Sequence, residues 1–196
     1  MPWTAISLSL SCLALAFAPE TWLSLLEYDR GEIARGQWWR LWSAHLAHFS
    51  TAHAAANAVT FLALGALAER QAGTRDFVRM LALGAPIIGI GLWIASPELA
   101  TYRGLSALAW SAATLAFLAH WPMPAYQSLG ALALGALVLA KLVMDAASGA
   151  AGSAFLPDGV RPEAGAHLLG VLATLGIGLC QRSLHGSARG QTASPR

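Results

Sequence analysis

The sequence predicts an all-α membrane protein, a bundle of six transmembrane helices with a membrane-associated first loop. Three observations carry that fold class. Hydrophobic residues make up 56% of the 196-residue chain and charged residues only 11%, against about 25% charged in a soluble domain. The polar residues gather in short segments between apolar runs long enough to cross a bilayer. Strongly polar side chains nevertheless stand near the starts of three of those runs: His53 with Asn57, Ser106, and His167. Such groups are expensive at membrane depth and mark function by default.

The first run, 3–18, carries small residues at Ala14, Ala16 and Ala18, as before a signal-peptide cleavage site. No Lys or Arg precedes it, which favours an uncleaved first spanning helix. Segment 19–51 follows, with Glu20, Glu27, Asp29, Arg30, Glu32, Arg35 and Arg40 beside Trp22, Trp38, Trp39 and Trp42. Tryptophan next to charge is typical of the membrane–water interface, so this loop is expected to lie on the membrane as a packed substructure. The remaining spans are expected at 52–68, 77–96, 104–121, 125–145 and 164–181. Lys141 and Asp145, four residues apart in the fifth, read as an internal ion pair. Residues 1–182 therefore form one membrane domain, and 183–196, rich in Ser and Gly, a disordered tail.

Six spans put both termini on one side. Arg70, Arg75 and Arg79 mark the 69–79 connection as cytoplasmic, and with Arg182, Arg189 and Arg196 they slightly outnumber Arg30, Arg35, Arg40, Arg103 and Arg161 opposite. Both termini are therefore expected in the cytoplasm. The net charge of +2 and the absence of a basic block give no reason to expect nucleic acid. Cys12 and Cys180 lie inside apolar runs without a CxxC pair and read as small hydrophobes.

Depth brings the polar groups together. Ser106 stands 15 residues before Trp121, His167 15 before Arg182, and His53 16 before Glu69. At helical rise each lies roughly 22–24 Å above the cytoplasmic boundary of a ~30 Å hydrocarbon core. Asn57 shares a helix face with His53 one turn deeper. Three helices thus deliver four polar groups to one layer several Å below the outer surface.

That layer has the parts of a serine hydrolase. A serine hydroxyl needs a base, and neutral His167 can accept its proton. Attack on a carbonyl creates an oxyanion, for which His53, the Asn57 amide and the Ser106 N–H at a helix start are candidate donors. Gly104 permits an unusual backbone just before the serine, and Gly170 offers a small surface for close helix approach. No Asp or Glu is placed to orient His167, since Glu163 falls at the rim, so the expected unit is a dyad. His48 is expected to support the site by tying down its loop with hydrogen bonds, and His120 and His185 read as boundary and tail residues. His45, His48 and His53 lack both an HExxH pattern and a neighbouring carboxylate, so no metal is expected. Plainer readings exist: a membrane-helix serine usually bonds its own i−4 carbonyl, and His53 with Asn57 can serve as interhelical glue.

In combination these residues resemble the rhomboid family of intramembrane serine proteases. The resemblance rests on Gly36-Gln37-Trp38-Trp39-Arg40-Leu41, His48-Phe49-Ser50, His53-x-x-x-Asn57, Gly65 and Glu69. To these are added Gly104-Leu105-Ser106 and Ala166-His167-Leu168-Leu169-Gly170. It implies Ser106 as nucleophile, His167 as general base, His53 and Asn57 at the oxyanion hole, and no cofactor. It further implies single-pass transmembrane protein substrates, cut near the surface of the lipid bilayer. Two positions depart from the pattern: Ala107 follows the serine where the family has glycine, and Thr174 stands where a later glycine is usual. Alanine is small enough to keep close packing, so activity is expected to survive.

Tyr102-Arg103-Gly104-Leu105-Ser106, Lys141 and Leu156-Pro157-Asp158-Gly159-Val160 look like the rhombosortases, small bacterial rhomboids. That likeness implies exported substrates with a GlyGly-CTERM helix and a bacterial inner-membrane location, with the site opening to the periplasm. The rival reading is an inactive rhomboid-like protein that escorts client helices; Ala107 favours it, while retention of Ser106 and His167 opposes it. A small transporter is opposed by the lack of an inverted repeat or paired broken helices. The 146–163 loop, rich in Gly and Ala, is a candidate mobile cover.

Overall fold

The structure, a computed structural model, describes residues 1–119, 136 and 164–191. Apart from residue 136, the fifth span expected at 125–145 lies outside the described residues, as do Lys141 and Asp145, His120, Glu163 and the loop at 146–163. The described chain is mostly helical: α1 (Trp3–Leu15), α2 (Glu20–Leu26), α3 (Arg30–Ala34), α4 (Arg40–Ser43), α5 (Thr51–Ala72), α6 (Thr74–Ala95), α7 (Ser106–Ala119) and α8 (Ala164–Gln191). Two short strands, β1 (Tyr28–Asp29) and β2 (Thr101–Tyr102), pair antiparallel with Tyr28 opposite Tyr102.

α5 and α6 are each long and apolar enough to cross a membrane; α1, α7 and the apolar part of α8 are shorter apolar helices. Their packing is that of a membrane bundle. The interior is dominated by alanine, including Ala54, Ala58, Ala68, Ala107, Ala112, Ala116 and Ala166. Large apolar side chains such as Val59, Ile87, Ile94, Leu172 and Leu179 point outward. Small residues inside let backbones approach, while bulky ones face lipid at no solvation cost. α7 packs between α5 and α8, α6 lies against α8, and α1 against α5.

The helices start and stop for identifiable reasons. Ser50 caps α5, its hydroxyl accepting from the His53 N–H at 3.0 Å. At the far end of α5, buried Glu69 accepts from the N–H groups of Thr4 and Ala5 and the hydroxyls of Thr4 and Thr74. A carboxylate from α5 thus satisfies the orphan amides at the start of α1 and makes the two helices antiparallel. α6 continues through Pro86, which cannot donate to the Ala82 carbonyl four residues back. The Trp42 indole N–H takes that place, at 2.9 Å.

The loop between α1 and α5 is a packed substructure, as its tryptophans and charges led us to expect. Arg40 is buried and donates to the Ser24 and Glu27 carbonyls and to Gln37. Trp22, Trp38, Trp39 and Trp42 are all exposed on its surface, the arrangement expected at a membrane interface.

Candidate active site

Ser106 is the first residue of α7 rather than its third, as the predicted span 104–121 had it. The difference lies in Gly104, whose φ of +140° breaks the helix and which a side chain would strain. At that glycine a Cβ would lie 3.3 Å from His53 Cε1 and 3.4 Å from Asn57 Nδ2. The turn before the serine therefore packs directly on the two polar residues of α5.

The peptide between Gly104 and Leu105 is held on both sides. Its carbonyl accepts from the Tyr102 hydroxyl at 3.0 Å, and its N–H, that of Leu105, donates to His48 Nε2 at 3.3 Å. The Gly104 N–H in turn donates to Ala44 O at 3.1 Å. His48 Nδ1 lies 3.1 Å from Leu46 O. Since Nε2 accepts, Nδ1 carries the proton and donates, so His48 ties its loop to the serine turn as one neutral tautomer. His45 sits between Gly104 O and Ala85 O, each 3.3 Å from a ring nitrogen.

On the other side of the serine, α8 brings His167. Its Nε2 lies 2.9 Å from Ser106 Oγ, and the Trp110 ring packs 5.9 Å from its centroid. This contact needs α7 and α8 very close, and Gly170 permits it: a Cβ there would meet Ala107 O at 2.2 Å. The two departures from the family pattern sit in this same seam. Ala107 is fully buried with its carbonyl against Gly170. Thr174 Oγ1 and Ser111 Oγ both donate to Gly170 O, at 3.1 and 3.0 Å. The threonine thus bonds its own i−4 carbonyl, and the seam keeps its tight spacing.

His53 Nδ1 and Asn57 Nδ2 are buried with no hydrogen-bond partner among the described residues. Leaving a buried polar group unpaired costs about 1–3 kcal/mol, so two of them beside the serine turn are a standing cost that a ligand oxygen can relieve. The structure therefore brings Ser106, His167, His53, Asn57, His48, Gly104 and Gly170 to one region. Sequence reasoning quoted Tyr102 only within a motif and gave it no role, and it missed Ser111; the two hold the turn and the seam. The pairing of Tyr102 with Tyr28 and the i+4 spacing of Ser111 from Ala107 become informative only once the strand pair and helix contact are known.

Burial drives His48 down to about 3 from 6.5, the nearby His53 ring adding to the effect, and burial also lowers His45. Between about 3 and 6.5 the unfolded loop therefore binds protons that the folded one refuses. Stability is expected to fall as pH drops from 6.5 toward 3, and to gain nothing from these groups above 6.5. Thermal melts in detergent across that range check this, and His48→Phe should flatten part of the slope.

The fold and this contact define a class: a multi-helix membrane protein with a serine and a histidine in hydrogen-bond contact between its helices. The family model for the Rhomboid domain matches residues 35–183, most of the chain. The chain belongs to the rhomboid family, whose members are intramembrane serine proteases acting on transmembrane substrates within the bilayer. No curated protein matches the chain significantly.

Proposed function

We propose that the protein is an intramembrane serine endopeptidase working with a Ser106–His167 dyad. The observation that carries this reading is the 2.9 Å approach of His167 Nε2 to Ser106 Oγ. In the proposed reaction Nε2 takes the hydroxyl proton as Oγ attacks the scissile carbonyl. The oxyanion then accepts from the Ser106 N–H, His53 and the Asn57 amide, donors fixed before the charge develops. His167 passes its proton to the departing amine, and water, activated by the same base, releases the acyl group from Oγ. No step requires a cofactor or a metal ion. The unpaired Nδ1 of His53 and Nδ2 of Asn57 support the oxyanion role; His48 and Gly104 hold the turn and Gly170 the seam.

In this reading the chain has six spans, with both termini in the cytoplasm of a bacterium and the site opening to the periplasmic face of the inner membrane. α5, α7 and α8 all begin at the site layer, which agrees with three parallel spans running inward from the outer surface. The substrates are single-pass proteins. The rhombosortase-like motifs single out exported proteins tethered by a GlyGly-CTERM helix, cut just outside the membrane.

The test is cleavage of such a tethered reporter by the protein in liposomes. Two fragments are expected, unaffected by a metal chelator, with Asn57→Ala about 100-fold slower in kcat. An intact reporter with wild-type protein, against a family-standard protease that cuts it, overturns the reading.

A further inference from the structure

Arg103, the residue before Gly104, has no part in the dyad or the oxyanion contacts, yet it is buried at the site's edge. Its Nε donates to Glu27 Oε2 at 2.8 Å, and its two terminal nitrogens donate to the Glu20 carboxylate. Glu20 is the first residue of α2 and Glu27 its C-cap, so one guanidinium grips both ends of that helix. Its carbon also stands 5.1 Å over the Phe49 ring, and Phe49 lies nearly parallel to His53, 6° apart with centroids at 6.3 Å.

We propose that Arg103 is a positioning residue that sets both halves of the site at once. Through its backbone it fixes the turn leading to Ser106; through its guanidinium it pins Phe49, whose ring face orients His53. The inference rests on the serine-protease reading above. Three observations support it. The Arg103 side chain is 6% exposed and that of Glu27 11%, and a buried ion pair is a poor way to gain stability, since apolar replacements often serve as well. Its value lies in geometry. The planar fork of arginine can meet two carboxylates and a ring face together, which the point charge of lysine cannot. The β1–β2 pairing ends at Tyr102, whose hydroxyl donates to the Gly104 carbonyl, so the strand's last residue and Arg103 just after it hold the turn from two consecutive positions.

The test is the rate of modification by a fluorophosphonate, which needs no knowledge of the substrate. Ser106 Oγ forms the bond to phosphorus, fluoride leaves, and the hydroxyl proton goes to His167. Rates are taken per folded molecule, with folded protein quantified by thermal melting in detergent. Arg103→Met and Phe49→Leu are each expected to slow modification about 10- to 100-fold, as misplacing reacting groups does. Arg103→Lys should recover part of the loss. Glu27→Gln should slow the reaction, and combining it with Arg103→Met should add little, because both act through one contact. Arg35→Gln, on an exposed ion pair, should react as wild type. A merely structural role would lower the melting temperature and leave the rate per folded molecule unchanged. Wild-type rates in both Arg103→Met and Phe49→Leu overturn the proposal. Should Arg103→Met fail to fold, wild-type rates in Phe49→Leu and Glu27→Gln overturn it equally. A wild-type protein inert to the probe overturns the protease reading itself, which separates the two failures.

Discussion

Ser106→Ala is expected to reduce cleavage of a tethered reporter to the detection floor, and His167→Ala to do almost the same. The magnitude follows from how the pair works. A hydroxyl at its free pKa is a weak nucleophile, and the base that would activate it is 2.9 Å away. Members of such a unit are not additive, so each substitution should cost about 10⁴-fold or more and the double variant little beyond either single one. Removing the serine hydroxyl does not threaten the fold. Ser106 is only partly buried at the start of α7, and its removal leaves the Gly104 turn with its bonds to Tyr102, His48 and Ala44. Melting temperatures close to wild type should accompany the loss. Reporter cleavage by Ser106→Ala at a tenth of the wild-type rate or better contradicts the dyad.

Gly170→Val is expected to remove both activity and much of the stability. Even a methyl group at this position would sit 2.2 Å from the Ala107 carbonyl oxygen and 3.2 Å from Ser111 Oγ. The first obstacle is backbone, which cannot rotate away as a side-chain tip can. α7 and α8 must separate, and with them Ser106 and His167. Overpacking of this kind costs about 1–3 kcal/mol and sometimes more, with valine worse than alanine. Gly176, six residues along the same helix, is the control: among the described residues nothing lies within 4 Å of a Cβ there. Gly176→Ala should be neutral or slightly stabilising, because alanine favours helix over glycine by about 1 kcal/mol. The comparison separates close packing from helix propensity, and the two melting temperatures in detergent decide it. A Gly170→Val protein as stable and as reactive as Gly176→Ala contradicts the seam described here.

Much of this arrangement is legible in the sequence because it depends on one variable, depth along a helix. Counting residues from the inner boundary placed His53, Ser106 and His167 in one layer, and the 2.9 Å contact joins two of them. Rotation about the helix axes is not legible that way, which is why the serine–histidine contact itself needed a structure. The start of α7 was misplaced by two residues because glycine tolerates helix in principle; only the φ of +140° at Gly104 excludes it. The loop from 19 to 51 was recognised by its tryptophans, but not α2, α3, α4 or the strand pair. Those elements are too short to form on propensity alone and owe their geometry to distant partners. Arg40 reaches carbonyls of Ser24 and Glu27, Trp42 reaches the carbonyl freed by Pro86, and Arg103 reaches back to α2. Thr174 reads as a departure from a family pattern; in place, it is buried and its hydroxyl donates to the Gly170 carbonyl, the same oxygen that accepts from Ser111 of the facing helix.

The central claim is that Ser106 is the nucleophile and that His167 activates it. Peptide mapping of the fluorophosphonate adduct by mass spectrometry tests this most directly. The adduct is expected on Ser106 alone, with its formation slowed at least about 100-fold in His167→Ala. An adduct on another residue, or equal rates with and without the histidine, contradicts it.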